Sequence, residues 1–154
     1  MTLTGWRIVP EDQAATAFDG EGARLYGGRW NSVGVPMVYA SEYKSLAALE
    51  VRVHLNTTKR LKRYKCYAFQ FDDRLLKVFP ISSLPKHWQQ EPPPASLQQL
   101  GDAWVKAAES PVLAVPSVII SNERNYLLNP KHPQFQRIRI AKPEDFAFDP
   151  RLLM

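Results

Sequence analysis

The sequence of 154 residues has one cysteine and no long apolar run. A single cysteine, Cys66, cannot form a disulfide within the chain, which argues against an oxidising compartment. No segment approaches the ~18 apolar residues of a membrane span. The first residues, MTLTGWRIVPEDQ, show no charged segment followed by an apolar one, so no secretory signal is expected. These absences predict a cytoplasmic protein with no membrane partner.

Motifs for metal and nucleotide binding are also missing. The three histidines, His54, His87 and His132, lie far apart and lack the spacing of metal ligands, so no metal site is predicted. The segment GEGARL at 20–25 nearly matches the glycine-rich dinucleotide turn, but Leu25 replaces the last glycine. The chain also lacks a phosphate-binding P-loop and a G-x-S-x-G nucleophile motif. The chemistry must therefore be sought in other residues.

The positive charge is concentrated in one short segment. The net charge is +5, and residues 59–65, KRLKRYK, hold five basic side chains; elsewhere basic and acidic residues are equal at 15 each. A nucleic-acid binder usually spreads basic residues over a face and interleaves them with aromatics, so direct nucleic-acid binding is not expected. The segment is either a solvated connector or a site that attracts an anionic ligand or an acidic partner.

The hydrophobic pattern predicts one α+β domain across residues 1–154. Alternating or short apolar runs predict strands at 5–10, 37–41, 65–71, 75–81 and 135–142, and one or two strands split by Pro116 within 111–121. Helical spacing predicts helices at 41–55, with Ser41 as the N-cap, and at 96–110. Loops are expected at 19–36, 82–96 and 122–133. Because strands and helices do not alternate regularly, a doubly wound parallel sheet is not expected.

Glu50 is an unusual residue of the first long helix. On a helical wheel it falls inside the apolar arc, between Leu46 and Ala47. A carboxylate on a buried face is costly unless another group compensates it. Glu50 either forms a structural ion pair, with Arg24 or Arg29 as the partner, or is a site carboxylate at the floor of a cleft.

The segment YGGRWNSVGVPMVYAS at 26–41 suggests what such a site could hold. The guanidinium of Arg29 follows two glycines, which allow a ligand to approach the backbone closely, and it matches phosphate oxygens. The ring of Tyr39 can stack on a flat or cationic ring, and a buried glutamate can stabilise an oxocarbenium-like centre. Phosphate, cationic ring and ribose are the parts of NAD⁺. The alternatives are that Trp30 is a core anchor and Tyr39 a core residue of a strand.

At these residues the sequence resembles a known family. Residues 27–55, GGRWNSVGVPMVYASEYKSLAALEVRVHL, resemble the signature of RES-domain proteins, named for arginine, glutamate and serine. Residues 115–135, VPSVIISNERNYLLNPKHPQF, resemble the C-terminal motif of that family, and WRIV at 6–9 extends the resemblance over nearly the whole chain. By this resemblance the arginine is Arg29, the glutamate is Glu50, and the serine is Ser117 rather than Ser121.

The resemblance implies a toxin of a toxin–antitoxin pair with a fold similar to ADP-ribosyltransferases and diphtheria-toxin-like catalytic domains. Such toxins consume NAD⁺ as a substrate, by phosphorolysis or hydrolysis, and some ADP-ribosylate a protein; no bound cofactor is implied. The implied partner is an Xre-type helix-turn-helix antitoxin in a larger complex, which leaves room for a toxin homodimer. A catalytically silent interaction protein of the same fold is the remaining alternative.

The resemblance also assigns roles to individual residues. Arg29 would position a phosphate or the nicotinamide ribose, and Tyr39 would stack near the nicotinamide, with Trp30 beside them. Glu50 would stabilise the developing ribosyl cation. Ser117 would donate a hydrogen bond near the ribose or the nicotinamide amide. Asn125, in NERNYLLNP, would support the site.

Overall fold

The computed structural model describes residues 1–55 and 63–153. Within them the helices are α1 (Glu21–Tyr26), α2 (Lys44–Val53) and α3 (Ala95–Ala107). The strands of the described residues are β1 (Thr2–Pro10), β2 (Val38–Ser41), β3 (Tyr64–Asp72), β4 (Leu76–Val78), β5 (Val112–Pro116), β6 (Arg124–Leu128), β7 (Arg139–Ile140) and β8 (Glu144–Phe146).

These strands form one sheet in the order β4-β5-β6-β2-β1-β3-β7, and β8 also pairs with β3. Among the described strands, β4 and β5 are the one parallel pair, and every other pair is antiparallel. A mainly antiparallel sheet with a few helices confirms the predicted α+β class and the absence of a doubly wound sheet.

The sheet consists of two well-paired halves that meet at a single residue pair. β1 and β3 pair over nine residues, whereas β1 and β2 pair only at Trp6 and Ser41. Next to this pair the guanidinium of Arg7 connects β1 to two backbone carbonyls. Its Nη1 donates to the carbonyl of Tyr39 at 2.7 Å, and its Nε donates to that of Ala17 at 2.5 Å. Burial lowers the pKa of Arg7 to about 10. Ser41 therefore lies at the joint between the halves.

Both long helices cover the same face of this sheet. α3 packs through Leu97 and Trp104 on β5 and β6, and α2 packs through Ala47 on the β1–β3 half. Cys66 is buried there. The opposite face carries a separate core that includes Val38, Phe69 and other aromatic and aliphatic side chains. The side chains of β2 that face the helices lie between α2 and α3.

The structure corrects two predicted loops. Residues 19–36 include the short helix α1, and residues 122–133 include β6, which pairs with β2 on one side and β5 on the other. Asparagine and proline flank the apolar core of β6, Tyr126–Leu128, and they suggested a loop. These three residues are all buried because a central strand is covered on both faces.

Other element boundaries also differ from the prediction. Ser41 is not the N-cap of α2, because it ends β2 and Tyr43 holds the N-cap position. The predicted strand at 135–142 is a 3₁₀ turn followed by only two strand residues. Within 111–121 one strand forms and ends at Pro116, where the sequence predicted a break. Most of the basic segment 59–65 lies outside the described residues. Its last residue, Lys65, pairs with Asp145 at 2.5 Å and Glu11 at 3.8 Å.

Gly101 sets how closely α3 approaches the segment that carries Arg29. A Cβ atom on Gly101 would lie 1.6 Å from the carbonyl oxygen of Trp30. We therefore expect Gly101→Ala to lower the free energy of unfolding by at least about 2 kcal/mol, because backbone must move to make room. Chemical denaturation measures this. Gly22→Ala is the matched control, since its added Cβ meets nothing within 4 Å and the change should stay within about 1 kcal/mol. Equal stability of the two variants would contradict the close approach.

Candidate functional site

Glu50 projects from α2 and is held by two neutral donors. Its Oε1 accepts a hydrogen bond from the Ser117 hydroxyl at 2.8 Å and another from the Asn125 amide nitrogen at 2.6 Å. Glu50 takes part in no ion pair within residues 1–55 and 63–153. The ion pair with arginine, one of the two alternatives, does not form, because Arg24 pairs with Glu21 and Arg29 with Glu91. Glu50 is half-buried, and its carboxylate contacts neutral donors.

The hydroxyl of Ser117 has its direction fixed by the backbone. Ser117 is fully buried immediately after β5, and its Oγ accepts from the amides of Ile119 at 3.1 Å and Ile120 at 3.2 Å. Since these two donors occupy the oxygen lone pairs, the hydroxyl hydrogen is left to donate to Glu50. Ser121 is exposed on the turn that follows. Of the two serines weighed from the sequence, the structure brings Ser117 to Glu50.

Asn125 links Glu50 to a residue that the sequence did not single out for the site. Its Oδ1 accepts from the hydroxyl of Ser41 at 2.7 Å, while its Nδ2 donates to Glu50. Ser41 and Asn125 face each other across β2 and β6. The result is a hydrogen-bonded chain from Ser41 through Asn125 to the carboxylate. No sequence signal indicated this chain, because a serine before a helix is typical of an N-cap.

Tyr39 organises the loop before β2. Its hydroxyl donates to Oδ1 of Asn31 at 2.6 Å and accepts from the backbone amide of Trp30 at 3.0 Å. Asn31 is fully buried, and its amide nitrogen donates to the carbonyls of Ala23 and Val35. Burial raises the pKa of Tyr39 well above its ordinary value. Asn31 is therefore a residue that the sequence analysis missed, although it lies inside the segment that was singled out.

The guanidinium of Arg29 is already engaged by the segment before α3. Its Nη1 donates to the carbonyls of Trp88 at 3.1 Å and Gln90 at 2.9 Å, and its Nη2 meets the Glu91 carboxylate at 2.5 Å. The side chain of Arg29 is 18% exposed, whereas that of Glu91 is 74% exposed. Arg29 is thus held firmly on one side, and Glu91 can move into solvent on the other.

The candidate residues form two groups. Glu50, Ser117 and Asn125 are hydrogen-bonded together, and Arg29 and Trp30 gather around Tyr39. The groups meet on β2, where Tyr39 and Ser41 lie on the same face, about 7 Å apart along the strand. The ring of Trp30 is 3% exposed and packs in the core beneath α3, so the structure gives this ring a packing role.

The part of the chain that the structure describes holds neither a metal-binding cluster nor a membrane-spanning helix. No group of three histidine, cysteine, aspartate or glutamate side chains could hold a metal ion there. No helix among those residues is long and apolar enough to cross a membrane. The chemistry available to the site is that of a carboxylate acceptor, with a hydroxyl, an amide and a guanidinium nearby.

Comparison with known proteins identifies the family. The sequence model described as RES domain matches residues 4–149. The chain belongs to the RES-domain family. This confirms the resemblance found in the two sequence motifs, and the matched range contains both groups of candidate residues.

Curated relatives of this RES-domain chain match over nearly their whole length. A protein named "Toxin Res" from Yersinia enterocolitica is 36% identical over 148 residues, which cover 96% of this chain and 97% of that protein. A protein named "Prs ADP-ribosylating toxin" from a Sphingobium species is 38% identical over 159 residues, with 99% and 98% covered.

A solved structure shares the fold of the RES-domain chain. It is the MbcT–MbcA toxin–antitoxin complex of M. tuberculosis. One chain of that complex matches this chain with a TM-score of 0.77 at 18% sequence identity. The match covers 99% of this chain and 87% of the other. At this identity the likeness establishes the shared fold.

The raised pKa of Tyr39 predicts a pH-dependent stability. The folded state keeps the Tyr39 proton above pH 10 while the unfolded state loses it, so wild type loses stability there through Tyr39, a contribution that Tyr39→Phe lacks. At neutral pH the variant should be less stable by about 1–3 kcal/mol, because Trp30 and Asn31 lose their partner. The gap should shrink by about 1.4 kcal/mol between pH 9 and pH 11.

Urea denaturation at the two pH values measures the gap. The control is Tyr26→Phe, which changes an exposed tyrosine and should differ little from wild type at both pH values. If the Tyr39→Phe gap is constant or widens with pH, the hydroxyl of Tyr39 is not the buried donor described above.

Proposed function

We propose that this RES-domain protein is a toxin that cleaves the bond between nicotinamide and ribose in NAD⁺. The observation that carries the proposal is the Glu50 carboxylate, which is half-buried and receives two hydrogen bonds from neutral donors on one oxygen, Oε1. A carboxylate held by neutral donors is suited to stabilise a cation in front of it. The toxin names of the curated relatives support the biological role.

The proposed reaction needs one bond to break and one to form. The C–N bond breaks with its electron pair moving to the ring nitrogen, so nicotinamide leaves as a neutral molecule. The ribose carbon becomes oxocarbenium-like, and Glu50 stabilises this positive charge. Water or phosphate then supplies an oxygen to that carbon. Ser117 and Asn125 hold the carboxylate in place through Oε1, which leaves the Oε2 oxygen to accept from a ribose hydroxyl.

The second group of residues suits the rest of NAD⁺. The ring of Tyr39 lies two residues from Ser41 on the same face of β2, and it would stack near the nicotinamide. Arg29 would bind a phosphate through Nη2 once the exposed Glu91 carboxylate moves away. The carbonyls of Trp88 and Gln90 would keep the guanidinium oriented during this exchange.

Transfer of ADP-ribose to a protein is a second candidate activity. One observation favours it: the relative that is 38% identical is named an ADP-ribosylating toxin. Both activities share the first bond cleavage and differ in the acceptor. Incubation of the purified protein with NAD⁺ labelled in its ADP-ribose part distinguishes the two activities. The expected product is ADP-ribose in buffer, ADP-ribose phosphate when phosphate is present, and labelled protein when cell lysate is present.

We further propose that an antitoxin of the Xre helix-turn-helix type restrains the enzyme by covering the site. A toxin that drains NAD⁺ needs such restraint in the cell that makes it. The solved structure of the same fold is a toxin–antitoxin complex, which supports an antitoxin as the partner. Covering the cleft would make the binding of antitoxin and NAD⁺ mutually exclusive.

Replacing Glu50 tests the proposed activity directly. Glu50→Gln keeps the size of the side chain and removes its charge, so NAD⁺ consumption should fall by about 100-fold or more. The thermal midpoint of the variant is measured alongside, because only a folded variant is informative. Glu109→Gln is the control, since Glu109 forms a surface ion pair with Lys77 and its loss should leave the rate unchanged. A folded Glu50→Gln variant with wild-type turnover would refute the assignment.

Two substitutions with opposite expected effects on KM test the role of Arg29. Lysine cannot serve the carbonyls of Trp88 and Gln90 and a phosphate at once, so Arg29→Lys should raise KM for NAD⁺ roughly tenfold. Glu91→Gln removes the carboxylate that competes for Nη2 and should lower KM. Steady-state kinetics measures both. If neither substitution changes KM, the guanidinium only anchors the segment before α3.

A further inference from the structure

We propose that Ser41 is a positioning residue of the site, which holds the Asn125 amide in place while its nitrogen faces Glu50. The catalytic consequence rests on the proposed function, whereas the positioning itself rests on geometry. The Ser41 hydroxyl donates to Oδ1 of Asn125 at 2.7 Å, and Nδ2 of the same amide donates to Glu50 at 2.6 Å.

Asparagine by itself cannot select this direction. Its two ends have nearly the same shape, and rotation by half a turn would exchange oxygen and nitrogen. An ionised carboxylate only accepts hydrogen bonds, so the rotated amide would place its oxygen against Glu50 and lose that bond. The carboxylate therefore sets which end of the amide faces it, and the bond from Ser41 to Oδ1 holds the other end in place.

The place of Ser41 in the fold makes it a rigid reference point. Ser41 ends β2, pairs with Asn125 on β6, and forms the single residue pair between β2 and β1. Its side chain is almost fully buried, so solvent cannot readily replace the hydroxyl as a donor. The backbone of Ser41 is therefore held by β1 on one side and β6 on the other. Its hydroxyl, fixed in this way, restrains the side chain of Asn125.

Without this hydroxyl only the bond to Glu50 holds the Asn125 amide, and the carboxylate loses a steady donor. Binding of NAD⁺ through Arg29 and Tyr39 does not depend on that amide. The loss should therefore appear in kcat and leave KM nearly unchanged. The value of one hydrogen bond suggests a fall in kcat on the order of tenfold.

The test is a double-substitution cycle with Ser41→Ala, Asn125→Ala and the pair together. If Ser41 acts through Asn125, Ser41→Ala should lower kcat about tenfold in wild type and have little effect once Asn125 is alanine. Ser41→Thr keeps a hydroxyl and should retain most of the rate. Ser110→Ala is the matched control: it removes another buried serine, bonded to Trp104 and Val112 away from Glu50, and should leave kcat unchanged.

A second readout needs no substrate. The side-chain amide of Asn125 gives a pair of NMR resonances in ¹⁵N-labelled protein, and we expect Ser41→Ala to shift them and to speed their exchange with solvent. Ser110→Ala should do neither. Unchanged Asn125 resonances, or an equal fall in kcat in the Asn125→Ala background, would overturn the inference. If wild-type protein consumes no NAD⁺, the proposed function fails, and the resonances alone decide whether Ser41 orients Asn125.

Discussion

The hydrogen bonds that converge on Oε1 of Glu50 join the two halves of the sheet on the face that the helices cover. Glu50 belongs to α2, which packs on the β1–β3 half of the sheet, whereas Ser117 and Asn125 belong to the β5–β6 half. The backbones of β1 and β2 pair only at Trp6 and Ser41, while the Arg7 guanidinium and the core on the opposite face provide further contacts between the halves. The carboxylate is therefore placed by both halves at once, and its geometry depends on their relative position.

The rest of the fold supports that junction. The close approach of α3 at Gly101 holds the loop before β2. The hydrogen bond from the Tyr39 hydroxyl to Asn31 fixes the same loop. The loop in turn carries Arg29 to the segment before α3. A neutral set of donors around Glu50 suits a carboxylate that must face a transient cation, because a permanent cation beside it would neutralise the charge that the proposed chemistry uses.

The sequence predicted the α+β class, the family and the inward direction of Glu50, because these depend on short-range patterns and local motifs. The helical wheel was right at Leu46 and Ala47, which are buried. It could not show the donors of Glu50, which come from 67 and 75 residues further along the chain. β6 was missed because its flanking asparagine and proline suggest a loop. The roles of Ser41 and Arg29 depend on partners that only the folded chain brings near.

The most direct test of the central claim is a crystal structure with an NAD⁺ analogue whose nicotinamide–ribose bond cannot be cleaved. The account predicts a ribose hydroxyl within hydrogen-bonding distance of Oε2 of Glu50, with Oε1 still bonded to Ser117 and Asn125. It also predicts a phosphate at Arg29 in place of the Glu91 carboxylate. An analogue bound elsewhere, with the carboxylate of Glu50 untouched, would contradict the account.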